Sequence, residues 1–210
     1  SKKIFFYLFL FIFFFSINNI KINNLKFITI EKVNIFGLNE LNKDILLENL
    51  KNLYSENIFF IDSNELKKRI NSNNFIENYQ IFKQYPSTLN IIIKKTKILA
   101  KIKREKKNYF IGSNGKFIEY FFLDKHIPFI FGNPDINEIL KLKKIIDQSK
   151  LSYDLIKNLY YFPSKRWDIE LKDNKIIKLS KNKVNKNLKE VYEFLQNKDF
   201  ENIKLYDFRV

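Results

Sequence analysis

The chain begins with an almost unbroken run of apolar residues. Residues 4–15 contain no charged side chain, and two lysines, Lys2 and Lys3, precede them. An α-helix rises ~1.5 Å per residue, so this run alone is shorter than a hydrocarbon core of about 30 Å. Lysine side chains that extend towards the headgroups, and a helix that continues past the run, would make up the difference. We therefore predict a single transmembrane helix at residues 4–22, within an anchor region of residues 1–24.

A cleaved signal peptide is the alternative, because its apolar region has about the same length. The sequence after the run, SINNIKINN, lacks the small residues typical of a cleavage site, which favours a retained anchor. Positive residues mark the cytoplasmic side of a membrane segment. Lys2 and Lys3 therefore predict a cytoplasmic N-terminus, with the rest of the chain outside the cytoplasm.

Residues 25–96 carry the pattern of a small α+β domain. Alternating apolar residues predict a first strand that ends at Gly37. Leucines at helical spacing then predict a helix with Asn42 as its N-cap. A second helix is predicted with Asp62 or Ser63 as its cap. These elements give the order β-α-α.

Two strand-like runs complete this domain. Residues 76–85 and 88–95 are rich in apolar and β-branched residues and are joined by the turn signal Y-P-S. They predict a hairpin, so the order becomes β-α-α-β-β, with two helices on one face of a three-stranded sheet. We expect the strand from Thr88 to Lys94 to be an exposed edge, which would offer a docking template to a partner.

Residues 97–210 predict a mainly antiparallel β domain with flanking helices, and the overall class is α+β. The pair Asn114-Gly115 marks the tip of one hairpin. The predicted helices span residues 136–149 and 187–195. In addition to that hairpin, the predicted strands span residues 98–102, 156–162, 167–171, 176–179 and 203–210.

The chain is strongly basic, with a net charge of +15 and 17% aromatic residues. Such a protein could bind nucleic acid, anionic lipid or an acidic polymer. The positive side chains are scattered among acidic ones, and the densest cluster, residues 101–107, is interrupted by Glu105. We therefore predict a solvated basic surface and no nucleic-acid site. An exported, basic polymer-binding protein remains an alternative.

The residue types present exclude several common kinds of catalytic site. The sequence has no cysteine, which excludes disulfides, thiolate nucleophiles and cysteine metal sites. His126 is the only histidine, so a three-histidine zinc site is excluded as well. The four glycines are too far apart for a phosphate-binding loop. We therefore predict a protein that is not an enzyme, without catalytic residues, cofactor, metal or small-molecule substrate.

Three segments of the first domain occur in a familiar order. They are V-N-I-F-G-L around Gly37, N-I-F-F-I-D at residues 57–62, and Y-P-S-T-L-N-I-I-I-K at residues 85–94. This series closely resembles the POTRA domain that lies next to the membrane in the FtsQ/DivIB family of bacterial division proteins. POTRA domains also occur in outer-membrane assembly and secretion factors, which would carry several repeats or a barrel sequence.

The second domain makes the resemblance specific to the FtsQ/DivIB family. The stretch R-W-D-I-E-L-K-D-N-K-I-I-K-L, a predicted helix and I-K-L-Y-D-F-R-V resemble the C-terminal β domain of FtsQ. Lys175 stands where the family pattern has a glycine after Asn174, so we expect a less ideal turn there. The family's partner-binding strand continues past the position of Val210, so partner binding is either shifted here or the sequence is cut short.

The resemblance implies a scaffold that binds other proteins of the division machinery at the septum, from the inner membrane and the periplasm. Its expected partners are the FtsB–FtsL pair, bound by addition of a strand to the C-terminal domain. Other divisome membrane proteins are further candidate partners. Arg209 and Arg166 are expected to pair with acidic groups of the partner. Partner-binding roles are also implied for Trp167, Tyr206 and Val210. Trp167 has an alternative role as a core residue.

Overall fold

The computed structural model describes residues 2–16, 29–119, 127–197 and 203–209. The chain divides into two compact units, Ser1–Lys95 and Thr96–Val210. Its first element is helix α1 (Lys2–Ser16), whose large apolar side chains are mostly exposed. Within the described ranges, no helix combines the length and the apolar character needed to cross a membrane.

A three-stranded sheet and two helices form the folded part of the first unit. The strands are β1 (Lys32–Phe36), β2 (Ile76–Gln84) and β3 (Thr88–Lys95), and the helices are α2 (Glu40–Leu50) and α3 (Ser63–Asn71). The strand order is β1-β3-β2, with β1 parallel and β2 antiparallel to β3. Leu46 and Leu50 of α2 pack with Leu89 and Ile91 of β3 in one buried cluster. The predicted β-α-α-β-β order is confirmed.

Two local predictions for this unit are wrong. Asn42 lies inside α2, which begins at Glu40 after Asn39. Strand β3, predicted to be an edge, is the central strand, because β1 and β2 pair with it on either side. Alternation of apolar and polar residues shows which face of a strand is buried. It does not show whether neighbouring strands pair with both of its edges.

The second unit is built on an eight-stranded mixed sheet. Its strands are β4 (Ile98–Arg104), β5 (Lys107–Gly112), β6 (Phe117–Glu119), β7 (Phe129–Phe131), β8 (Ile156–Tyr161), β9 (Trp167–Leu171), β10 (Ile176–Lys178) and β11 (Leu205–Asp207). Their order is β11-β10-β9-β8-β7-β4-β5-β6. The pairs β4–β7, β7–β8 and β10–β11 are parallel, and the other four are antiparallel. The sheet is therefore less antiparallel than predicted.

Helices α4 (Ile136–Gln148) and α5 (Val184–Gln196) supply apolar side chains to the core of this unit. Ile139 and Ile146 of α4, and Leu188 of α5, are buried in the same cluster as the apolar residues of the sheet. Helix α5 connects β10 to β11, and a connection of this kind suits a parallel pair. This connection brings the last described strand to the margin of the sheet.

The start of α5 is held by a buried asparagine. Asn187 is only 5% exposed, and its Oδ1 accepts hydrogen bonds from the backbone N and the Oγ of Ser180, at 3.0 and 2.7 Å. A buried amide oxygen with two donors is satisfied and stabilises the loop after β10. The geometry of the β10–α5–β11 segment therefore depends partly on this contact.

Candidate partner-binding site

Strand β11 is one margin of the described sheet. The backbone N of Ile176 donates to the carbonyl of Lys204, and the N of Phe208 donates to the carbonyl of Lys178. In a parallel pair, alternate residues of a strand bond to the same neighbour. The backbone N–H and C=O groups of Leu205 and Asp207 therefore point away from β10. Such an edge can accept an added strand.

A row of polar and aromatic side chains crosses the sheet up to this edge. Register pairs Phe131 of β7 with Tyr160 of β8, Tyr160 with Asp168 of β9, Asp168 with Lys178 of β10, and Lys178 with Asp207 of β11. Directly paired residues lie on the same face of a sheet. The intervening residues of β9, β10 and β11 face the core. The row therefore lies on the opposite face.

Arg209 lies just beyond β11 and pairs with a carboxylate of its own strand. Its Nε donates to both carboxylate oxygens of Asp207, at 2.7 and 2.9 Å, and its second nitrogen forms a further bond. These hydrogen bonds hold the pKa of Asp207 at about 2. The guanidinium thus lies at the exposed edge and is already oriented.

Arg166, immediately before β9, has a similar arrangement. Its Nε donates to Oδ1 of Asp168 at 3.2 Å, and its guanidinium lies 4.5 Å from the ring centre of Phe162. Burial raises the pKa of Asp168, while the nearby cations Arg166, Lys178 and Arg209 act in the opposite direction. Both predicted arginines therefore belong to one electrostatic cluster.

We call this group the charge cluster: Arg166, Asp168, Lys178, Asp207 and Arg209. It contains three cations and two carboxylates, which leaves a net charge of +1. The carboxylates orient the arginines but do not neutralise the cluster. A carboxylate from a partner would complete its charge balance, and a forked guanidinium can hold two carboxylates at once.

A second row on the same face is centred on Glu170. The carboxylate accepts hydrogen bonds from Lys157 Nζ at 2.7 Å, Tyr160 Oη at 2.6 Å and Asn158 Nδ2 at 2.9 Å. The bonds from Lys157 and Tyr160 are the main reason that the pKa of Glu170 falls to about 2. In register, Glu170 pairs with Ile176, which pairs with Leu205 at the edge. This row gives the face a fixed, ionised centre.

Two of the predicted contact residues lie in the core. Trp167 is 4% exposed and packs against the ring of Tyr161, and Tyr206 is 5% exposed and packs against Phe194. Their side chains are therefore not presented to a partner in this conformation, and the alternative role of Trp167 as a core residue fits its position. Val210, the fifth predicted residue, lies outside the described residues.

Sequence reasoning missed Asp168, Lys178 and Glu170. Nothing in their local sequence distinguishes them from other charged strand residues. Only the register across β8 to β11 brings them together with the two arginines. The period-two alternation of charged and apolar residues in W-D-I-E-L did place Asp168 and Glu170 on one face, which was the available signal.

The described residues contain no group of three or more carboxylates or other ligands placed to hold a metal ion. His126 lies outside them. A cleft of about 490 Å³ lies beside the end of α5, lined by Leu151, Leu155, Leu171 and Tyr192, with lysines at its margin. Its margin also carries the ion pair between Lys175 Nζ and Asp173, at 2.8 Å.

The comparison with protein families identifies the first unit. The family model described as "POTRA domain, FtsQ-type" matches residues 28–96. This range contains β1, α2, α3, β2 and β3 in the observed order. A segment of 95 residues is 29% identical to the cell division protein DivIB of Clostridium acetobutylicum.

The first unit is a POTRA domain of the FtsQ type. The predicted resemblance to the FtsQ/DivIB family of cell division proteins is thereby confirmed. DivIB of Clostridium tetani is also 29% identical, over 93 residues. The matched segments make up 45% and 44% of this chain, but only 38% and 35% of the two relatives. The chain therefore matches little more than a third of each relative's length.

A solved structure of a DivIB protein also aligns with the chain. It is the major extracytoplasmic domain of DivIB from Geobacillus stearothermophilus, with 13% sequence identity and a TM-score of 0.39. The alignment covers 53% of this chain and 99% of that domain. At this TM-score the superposition is loose, and the resemblance to the family depends on the sequence matches.

Proposed function

We propose that this chain is a non-enzymatic, single-pass scaffold of the division machinery that binds the FtsB–FtsL pair through its second unit. The FtsQ-type POTRA domain and the similarity to DivIB proteins support a role in cell division. The observation that carries the partner-binding site is the edge of β11, where Leu205 and Asp207 direct backbone groups outward beside the charge cluster. An extended segment of FtsB would add a strand at this edge.

Main-chain bonds would supply affinity and side chains would supply specificity. Leu205 is 48% exposed and its ladder neighbour Ile176 is 38% exposed, so both offer apolar contact beside the added strand. Arg209 and Arg166 would donate hydrogen bonds to an acidic side chain of the partner. They would keep their own bonds to Asp207 and Asp168. Trp167 and Tyr206 support the strand from the core.

Helix α1 is the proposed anchor in the inner membrane. Its exposed side chains include Phe5 at 77% and Phe15 at 69%, so they contribute nothing to a core in the described structure. A continuous apolar surface of this kind is stable only in lipid or against another protein. Lys2 and Lys3 support a cytoplasmic N-terminus, and we propose that both folded units lie in the periplasm at the septum.

The test is a binding measurement between the full chain in detergent and the FtsB–FtsL pair of the same organism. Leu205→Pro removes one outward N–H from the edge without removing a bond to β10, and edge strands tolerate proline at such positions. Leu205→Ala, the matched control, shortens the same side chain but keeps the N–H. Strand addition predicts that the proline variant loses binding and that the alanine variant keeps most of it.

Fluorescence of the single tryptophan, Trp167, reports whether each variant remains folded. Equal losses in the two Leu205 variants would mean that the side chain matters and the backbone edge does not. No binding by the unmodified chain would reject the β11 site as the FtsB–FtsL contact.

A further inference from the structure

The POTRA domain carries an exposed aromatic cluster. Phe59, Phe60 and Tyr85 are 49%, 55% and 56% exposed, and the rings of Phe59 and Tyr85 stack with centres 4.7 Å apart. Lys83 lies beside them, and its Nζ donates to the carbonyl of Phe59 at 3.4 Å. Three large aromatic side chains together in water are unfavourable, so a partner surface is expected to cover them.

The cluster lies at the end of the domain where the chain arrives from α1. Thr29 forms a β-bridge with Asn57, close in sequence to Phe59. The backbone N of Glu31 donates to the carbonyl of Ser87, two residues after Tyr85. The start of β1 and the aromatic cluster are therefore at the same end of the sheet.

The distance from this end to α1 is bounded by the chain itself. Residues 17–28, twelve in number, connect the last residue of α1 to Thr29. Even fully extended, they span at most about 40 Å. If α1 lies in the membrane, as the proposed function requires, the end of the domain that carries the cluster is the end tied to the bilayer.

We propose that Phe59, Phe60 and Tyr85 insert into the headgroup region of the lipid bilayer and hold the POTRA domain against the membrane surface. Aromatic side chains favour this region because they combine an apolar body with a polarisable or polar edge. Lys83 can reach towards lipid phosphates from the same position. Acidic Glu31 lies at this end too, so apolar insertion contributes more than salt-sensitive attraction.

A second exposed apolar group provides the comparison. Phe36 is 53% exposed at the far end of β1, where it pairs with Ile92. It lies four residue steps along the strand from Lys32, or about 13 Å. Phe36 matches Phe60 in residue type and exposure but lies away from the tethered end, so the proposal predicts that it faces water.

The experiment uses the absence of cysteine from the sequence. Full chains carrying Phe60→Cys or Phe36→Cys are labelled with a nitroxide and reconstituted into vesicles of phosphatidylethanolamine and phosphatidylglycerol. Collisions of the label with oxygen, which concentrates in lipid, are compared with collisions with an aqueous nickel chelate. We expect collisions with oxygen to dominate at position 60 and collisions with the nickel chelate to dominate at position 36. This difference between the two positions should persist at high salt.

Each other result overturns the proposal in a distinguishable way. Equal access of the nickel chelate at both positions would reject membrane contact while the chain still floats with the vesicles, which leaves the anchor intact. Shielding of position 60 from both reagents would indicate a protein contact instead. A chain that does not float with the vesicles would reject the anchor and the lipid contact together.

Discussion

Arg209 lies within electrostatic reach of Asp168, two strands away in the sheet. Burial raises the pKa of Asp168, and the guanidinium of Arg209 is one of three cations that lower it. Lys178 lies between the two strands and pairs in register with both Asp168 and Asp207. The two arginines that the sequence singled out separately therefore act in one cluster, and a change at one edge residue alters the charge environment two strands inward.

Arg209→Glu should weaken the proposed binding of the FtsB–FtsL pair by about 30-fold or more, or about 2 kcal/mol. The substitution removes a cation and adds a carboxylate, so the net charge of the charge cluster changes from +1 to −1. Arg209→Lys should have a smaller effect, because it keeps the charge but loses the fork. Affinities of full chains, measured by surface plasmon resonance, check both.

Lys172→Glu is the matched control for this prediction. It makes the same change in net charge, but Lys172 lies in the turn between β9 and β10 and not in the charge cluster. Equal weakening by Lys172→Glu and Arg209→Glu would show a general charge effect and would contradict a specific contact.

Glu170→Gln should reduce stability at neutral pH and make stability less sensitive to acid. The pKa of Glu170 falls from 4.5 to about 2 on folding, so its contribution is fully present above pH 4.5 and is lost as the pH falls towards 2. Lys157 is 46% exposed, and screening by solvent limits the contribution to about 1 kcal/mol. Urea unfolding followed by Trp167 fluorescence at several pH values measures it.

Glu119→Gln serves as the comparison in the same unit. Glu119 pairs only at the surface with Lys107, at 3.2 Å, and both side chains are substantially exposed. The free energy of unfolding should change little in this variant. A Glu170→Gln profile that runs parallel to that of the unmodified chain between pH 4.5 and 2 would disprove the assigned role of Glu170.

Local signals in the sequence predicted most helices and strands but not which strands pair with each other. The Y-P-S turn gave the β2–β3 hairpin correctly, because turn chemistry depends on adjacent residues. The edge assignment of β3 failed, since pairing on both sides depends on β1, more than 50 residues earlier in the chain. The family resemblance came from the order of several motifs, which is visible in the sequence itself.

The candidate site was predictable only in part for the same reason. Arg166 and Arg209 were found by resemblance, but Lys178, which lies between their carboxylate partners, depends on long-range register. The structure also shows why the turn at Asn174-Lys175 does not need the glycine whose absence was expected to weaken it. Asn174 takes the left-handed conformation, with φ of 63°, and asparagine tolerates it. Lys175 does not need to replace a glycine in that role.

Asp62→Ala should lower the stability of the POTRA domain by about 1 kcal/mol. The side chain of Asp62 caps α3 by accepting hydrogen bonds from the backbone N of Asn64 at 2.8 Å and of Glu65 at 3.3 Å. Asn39→Ala is the control, because Asn39 occupies the same position before α2 but makes no capping bond with its side chain. Hydrogen exchange of α2 and α3 amides measures both, and similar losses in the two helices would refute the difference.

Gly132→Ala should destabilise the second unit by at least about 3 kcal/mol. Gly132 has a φ of +95°, and a Cβ at this position would lie 2.2 Å from the carbonyl oxygen of Tyr161 in β8. Gly115 also has a positive φ, of +75°, but a Cβ there meets only side chains, at 3.4 Å or more. Gly115→Ala should therefore cost only the backbone penalty, about 1 kcal/mol.

Urea unfolding followed by Trp167 fluorescence separates the two glycine variants, since the ring of Trp167 packs against that of Tyr161. A shift of β8 that relieved the contact at position 132 would also displace Tyr161, so the emission of the folded variant should change together with its stability. Equal costs for Gly132→Ala and Gly115→Ala would mean that backbone conformation alone, and not the approach of β8, explains the glycine at position 132.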